Sequence, residues 1–195
     1  MGPATEPWRS GTLAAMNDGP ITNSYWVIPG RFAAGEYPGY ANPWDTAARL
    51  RTLLRAGIDH FIDLTTERDW LEPYAESAAR EGRTLGRGVA YERHPIVDMR
   101  VPRSPLETVG VLDAIDAALD DGRNVYLHCW GGVGRTGTMV GCWLVRHGGT
   151  GDEALAQVAE WWRGVEKACR LPNSPQTGEQ CAYVRNWTEP AGFRR

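Results

Sequence analysis

The chain has 195 residues, 42% hydrophobic and 23% charged, with a formal net charge of −3. That is enough for one globular domain with its own core, and it provides no global positive field to gather nucleic acid or an anionic membrane. No run approaches the ~20 apolar residues of a membrane span, and the start lacks a secretory pattern. Glu6 stands where a myristoylation signal needs Ser or Thr. A cytoplasmic chain with no nucleic-acid or membrane partner is expected.

Residues 1–20, rich in Gly, Pro and Ala, read as a loose arm, with one domain over 21–190 and a tail at 191–195. Tyr25 to Ile28 and Arg31 to Ala34 read as short strands around the turn Pro29-Gly30. Asn42-Pro43-Trp44-Asp45 is a helix start, with an Asx cap, proline at the first helical position and an acid in the first turn. Ala47, Leu50, Leu53 and Leu54 continue at helical spacing until Gly57. Ile58 to Leu64 reads as a strand, Thr65 to Asp69 as a charged loop, Pro73 to Glu81 as a helix and Val89 to Ile96 as a strand. Ser104-Pro105-Leu106-Glu107 reads as a full capping box, followed by the stripe Val109, Leu112, Ile115 and Leu119.

A strand over 124–128 then leads through glycines into an apolar helix from Thr136 to His147. Thr150 to Glu153 repeats the capping-box pattern, with Leu155, Val158, Trp162 and Val165 behind it. A last helix is expected from about Thr177 to Trp187. Alternating strands and helices predict an α/β fold, a central, largely parallel sheet flanked by helices.

The stretch His128-Cys129-Trp130-Gly131-Gly132-Val133-Gly134-Arg135-Thr136 occupies the place where such sheets bind ligands, beyond the carboxyl end of a strand. Its glycines let several backbone N–H groups face one centre, and the following helix adds its positive end. Arg135 supplies a planar fork for two phosphate oxygens. A nucleotide-binding P-loop, GxxxxGK[ST], would put Cys129 at its first glycine and Arg135 at its lysine, so that reading fails. In the alternative, cationic surroundings lower a thiol's pKa from its usual ~8.5, leaving Cys129 as a thiolate placed to attack phosphorus.

His128-Cys129-x5-Arg135-Thr136 resembles the signature of the cysteine-based protein tyrosine and dual-specificity phosphatases. The resemblance implies a fold of that kind over roughly residues 20–190, a phosphocysteine intermediate and no metal or other cofactor. It implies Cys129 as nucleophile and Arg135 with the loop residues Trp130, Gly131, Gly132, Val133 and Gly134 as phosphate holders. Thr136 would donate its hydroxyl to the sulfur, and His128 would tune the loop from behind. The family also needs an acid on an upstream loop. His94-Pro95-Ile96-Val97-Asp98 fits, so Asp98 is expected to protonate the leaving oxygen and later activate water. Asp63 and Asp69 are rivals, Asp63 reading better as a turn cap. Ser174 to Gln180 resembles the glutamine-bearing loop of tyrosine phosphatases, with Gln176, or alternatively Gln180, positioning water.

The expected substrate is a phosphotyrosine protein, with phosphoserine and phosphothreonine open and a small phosphate ester as runner-up. No lysine lies inside the loop, which weighs against highly phosphorylated inositides, although Arg93, Arg100 and Arg103 flank Asp98. A non-catalytic phosphate reader would be expected to lack Cys129, Arg135 or Asp98. A redox sensor built on Cys129 could coexist with catalysis. The four cysteines, 129, 142, 169 and 181, show no CxxC or metal-ligand spacing and read as free thiols, and Cys142, Trp161 and Trp162 read as core.

Overall fold

The computed structural model describes residues 18–192. Most of the expected N-terminal arm and residues 193–195 of the tail lie outside them. Five strands form one sheet in the order β1-β2-β5-β3-β4. They are β1 (Ser24–Ile28), β2 (Phe32–Gly35), β3 (His60–Asp63), β4 (Ala90–Arg93) and β5 (Val125–His128). Only the β1–β2 hairpin is antiparallel; β2–β5, β5–β3 and β3–β4 all run parallel. This is the α/β architecture expected from the alternating pattern.

The strand period of two sends alternate side chains to two separate cores. Val125 and Leu127 of β5 and Ile62 of β3 enter a large core with Trp143, Leu144, Val158 and Trp162. Tyr126 of β5 and Phe61 of β3 enter a smaller one with Leu50, Leu53 and Tyr74. Six helices cover the two faces: α1 (Pro43–Arg55), α2 (Ala75–Thr84), α3 (Pro105–Asp120), α4 (Gly134–Arg146), α5 (Gly151–Arg163) and α6 (Gly178–Arg185). Helices α1 and α2 pack on each other, while α4 contacts α3, α5 and α6. Each fully buried Leu, Ile or Phe contributes ~1.5–3 kcal/mol.

The helix starts follow the capping rules, with one departure. Asn42 accepts from the Trp44 N–H, and the Thr150–Glu153 box is complete in both directions. At α3, Ser104 accepts from the Glu107 N–H, but Glu107 reaches one residue further back, to the N–H and Nε of Arg103. That box is half formed, because the Arg103 side chain captures the carboxylate. Helix α4 begins two residues earlier than its expected start at Thr136, so Arg135 and Thr136 stand in its first turn. Helix α2 begins after Pro73-Tyr74, where the Tyr74 ring is drawn inward and buried. Strands β3 and β4 are shorter than expected. His94 and Ile96 still donate to the carbonyls of Asp63 and Leu64 beyond the last paired residues. All four cysteines are free, with Cys142 buried in the large core.

Candidate active site

Because β2, β5, β3 and β4 are parallel, the loops leaving their carboxyl ends share one edge of the sheet. Strand β5 ends at His128, and the next residue is Cys129, 3% exposed. Four of the five carbonyls from Cys129 to Val133 are held from outside the loop. His128 Nδ1 lies 3.2 Å from the Cys129 carbonyl. The Tyr37 N–H donates to Trp130 O at 2.9 Å, Lys167 Nζ to Gly131 O at 3.2 Å, and Ser174 Oγ to Val133 O at 2.8 Å. In a trans peptide the next N–H points opposite to the carbonyl. The N–H groups of Trp130, Gly131, Gly132 and Gly134 therefore turn to the inner side, the arrangement of an anion nest.

Two glycines make this curl possible. Gly132 has φ +75°, and a Cβ there would stand 2.5 Å from the carbonyl carbon of Gly35 on β2. A Cβ on Gly134 would stand 2.9 Å from both amide atoms of Gln180.

Arg135 is 1% exposed. Its Nη1 donates to Asp69 at 3.0 Å and to the Ile96 carbonyl at 3.0 Å. Its Nη2 contacts Asp69 at 2.8 Å and Asp98 at 2.9 Å. The Nε is buried without a hydrogen-bond partner among the described residues, as is the Thr136 hydroxyl. Burial pulls the Arg135 pKa down, but Asp69, Cys129 and Asp98 together raise it. Sequence reasoning treats the fork as free for phosphate; in the structure most of it is engaged, and only the Nε edge is open.

Asp69 braces Arg135. It ends the short 3-10 turn Glu67–Asp69 and accepts from Thr66 N–H at 2.7 Å as well as from Arg135. Burial raises its pKa, but the hydrogen bonds from Arg135 and Thr66 outweigh burial and lower it. Thr66-Glu67-Arg68-Asp69 has the Thr-x-x-Asp spacing of a cap, and that was the available sequence signal. Asp98, half-exposed, stands on the turn after β4 with one carboxylate oxygen at Arg135. Of the two carboxylates on this arginine, only Asp98 is open to solvent.

Behind the loop, His128 is fully buried against Tyr37, Tyr74 and Tyr126. Burial lowers its pKa against the opposing pull of Asp63. A neutral ring fits its contacts: the Tyr74 hydroxyl lies 2.6 Å from Nε2, and Nδ1 faces the Cys129 carbonyl. Asp63 caps its turn, accepting from Thr65 N–H at 2.7 Å and from the Tyr91 hydroxyl at 2.8 Å. It also faces Arg93, one of the three arginines that flank Asp98 in sequence.

The glutamine loop is arranged differently from expectation. Gln176 is exposed. Gln180 is completely buried, its Oε1 accepting from the N–H groups of Gln176 and Thr177 at 3.1 Å and its Nε2 donating to Arg100 O at 3.2 Å. Both ends of the Gln180 amide thus meet backbone, whereas the Gln176 side chain is exposed. Trp130 is 56% exposed beside Cys129. No group of side chains among the described residues has the makings of a metal site.

A family model described as the DSP-PTPase phosphatase of polymorphic toxin systems (Tc-R-P) matches residues 38–149, more than half of the chain. The chain belongs to this family. This DSP-PTPase is similar to the 067L protein of Invertebrate iridescent virus 3, which bears a tyrosine-phosphatase name. The two are 29% identical over 113 residues, 56% of this chain and 40% of the viral protein. The chain thus spans about two fifths of that relative's length.

Among solved structures, Tk-PTP in its active form superimposes with a TM-score of 0.61 at 24% identity, over 80% of this chain and 89% of that one. TpbA of P. aeruginosa, a cysteine-to-serine form in complex with pTyr, gives 0.62 at 22% identity over 95% and 96%. PTPMT1 in complex with PI(5)P gives 0.59 at 19% identity over 80% and 88%. At these identities the likeness establishes the fold: a single α/β domain of the tyrosine and dual-specificity phosphatase type. No helix among the described residues is long and apolar enough to cross a membrane.

Proposed function

We propose that this DSP-PTPase hydrolyses phosphate monoesters through a phosphocysteine, with phosphotyrosine in proteins as the principal substrate and phosphoserine and phosphothreonine as further ones. The observation that carries the reading is the outward pinning of the loop carbonyls, which turns consecutive N–H groups to the side of Cys129. Buried donors without partners are costly, and the Arg135 Nε and the Thr136 hydroxyl are two more at the same place. A phosphate dianion satisfies the loop amides and the Arg135 Nε together, and the Thr136 hydroxyl is left for the sulfur.

In the first step the Cys129 sulfur attacks phosphorus, and the P–O bond to the alcohol or phenol breaks. Asp98 gives the departing oxygen its proton. In the second step Asp98 takes a proton from water, the water oxygen attacks phosphorus, and the P–S bond breaks. Thr136 donates its hydroxyl to the departing sulfur, and Gln176 is the first candidate for holding the water. The loop amides stabilise the three equatorial oxygens. Asp69 keeps Arg135 in plane by occupying one edge of the fork. Phosphate then takes the Nε–Nη2 edge when Asp98 leaves Nη2 for the leaving oxygen.

Exposed Trp130, Val97 and Met99 beside Cys129 and Asp98 support an aromatic or protein-borne phosphate over a small polar metabolite. The test is turnover of phenyl phosphate, a phosphotyrosyl peptide and a panel of phosphorylated metabolites between pH ~5 and ~7. The intact protein turns over the first two, while Cys129→Ser loses turnover but still binds phosphate. An intact protein inert on every ester, or a Cys129→Ser variant that keeps its rate, overturns the reading. Preference for a metabolite over the peptide overturns the substrate class alone.

A further inference from the structure

We propose that Gln180 is the positioning residue that holds the acid-bearing turn over the phosphate loop, a role that rests on Asp98 being the acid. Asp98 sits second in the turn Val97 to Arg100, closed by the Arg100 N–H on the Val97 carbonyl at 3.1 Å. The third position of that turn, Met99, has φ +61°. A left-handed backbone suits glycine there, and methionine adopts it at a cost of ~1–2 kcal/mol. Such a turn persists only when its surroundings hold it. Its fourth residue is held from outside, because Gln180 Nε2 donates to the Arg100 carbonyl at 3.2 Å.

The other end of the same amide is fixed independently. Gln180 Oε1 accepts from the Gln176 and Thr177 N–H groups, and the Gln180 N–H donates to Thr177 Oγ1 at 3.1 Å, closing the capping box of α6. The side chain lies against Gly134 of the phosphate loop, at a spacing a Cβ would not allow. Ser174, six residues earlier, bonds the Val133 carbonyl in that same loop. The segment 174–180 therefore grips the phosphate loop with one residue and the acid turn with another. The distance from Cys129 to Asp98 depends on both grips. Glu179 adds an exposed ion pair with the Arg100 side chain at 3.7 Å, which is a different bond.

The two ends of the amide allow the roles to be separated. Gln180→Glu keeps the acceptor that caps α6, a position where Glu and Gln serve equally, and removes the donor to Arg100 O. Gln180→Met, of similar length, removes both. The readout is the ratio of kcat/KM for phenyl phosphate to that for 2,4-dinitrophenyl phosphate, whose leaving group needs no proton. The ratio falls about tenfold in Gln180→Glu, equivalent to about 1.4 kcal/mol, and in the same direction in Gln180→Met. The basic limb of the pH profile, set by the protonated acid, flattens with it. In an Asp98→Asn background the Glu substitution causes no further fall. Arg100→Ala leaves the ratio unchanged, since the contact is to main chain. An unaltered ratio in both Gln180 variants, or a fall in Arg100→Ala that matches theirs, overturns the proposal. A wild-type protein inert on both esters overturns the functional reading first and this one with it.

Discussion

The carboxylate of Asp69 and the guanidinium of Arg135 meet edge to edge, at 2.8 and 3.0 Å, in a pair that is almost wholly buried. Asp69 is itself tied to the Thr66 N–H, so the arginine is braced through a carboxylate to the backbone after β3.

Removing one partner of a buried ion pair costs ~3–5 kcal/mol, and Asp98 stays on Nη2 of Arg135, so the lower figure applies. Asp69→Asn is accordingly expected to lower stability by about 3 kcal/mol and kcat/KM by about 100-fold, equivalent to ~2.7 kcal/mol. The loss falls equally on good and poor leaving groups, because it acts on phosphate holding and not on proton transfer. Urea denaturation and a leaving-group series measure the two effects. A loss confined to poor leaving groups would make Asp69 the acid in place of Asp98.

Gly132→Ala places a methyl 2.5 Å from the Gly35 backbone at φ +75°. Gly30 offers an internal comparison, with φ +71° and open space around its Cβ position. Gly30→Ala should lose only the left-handed cost, ~1–2 kcal/mol, and keep full activity. Gly132→Ala should lose at least about twice as much stability and most of its turnover, since the clash is with backbone on β2. Equal losses in thermal unfolding would show that close approach to β2 does not matter.

The buried His128 makes stability pH-dependent in a direction that can be worked out. Its native pKa is lowered by burial, whereas in the unfolded chain it titrates near ~6.5. Below that pH the unfolded state binds a proton that the native state refuses. Stability then falls with decreasing pH by up to ~1.4 kcal/mol per unit. Asp63 and Asp69 act lower down. Their native pKa values are depressed despite burial, by the hydrogen bonds of Thr65 and Tyr91 for Asp63 and by those of Arg135 and Thr66 for Asp69. Their stabilisation is complete above ~4 and is lost as pH falls through those native values. Denaturation curves between pH 4.5 and 8 should show the His128 limb, and His128→Gln should flatten it. A wild-type curve already flat from pH 6.5 to 5 would mean that His128 takes up its proton in the native state.

The strand–loop–helix order and the helix starts at Asn42 and Thr150 were legible in sequence, because they depend on neighbours within four residues. So was the run from Cys129 through five intervening residues to Arg135, which spans the short loop after β5 and the first turn of α4. That Asp98 follows a strand in a loop was legible too, but the turn that holds it was not, because the Met99 backbone that shapes it has no glycine to announce it. The half-formed box at Ser104 was missed because its outcome depended on where the Arg103 side chain lay.

Local residue order by itself determined that a thiol, a glycine curl and an arginine would follow a buried strand, since backbone freedom and helix starts are short-range properties. Which carboxylate braces Arg135 and which is left open to solvent was decided only when β3, β4 and β5 lined up in parallel. That alignment brought residues 69, 98 and 135 to one edge. The fate of Gln180 was decided the same way. A side chain's hydrogen-bond partners depend on what the fold brings within about 3 Å of it, and Arg100 lies 80 residues away in sequence.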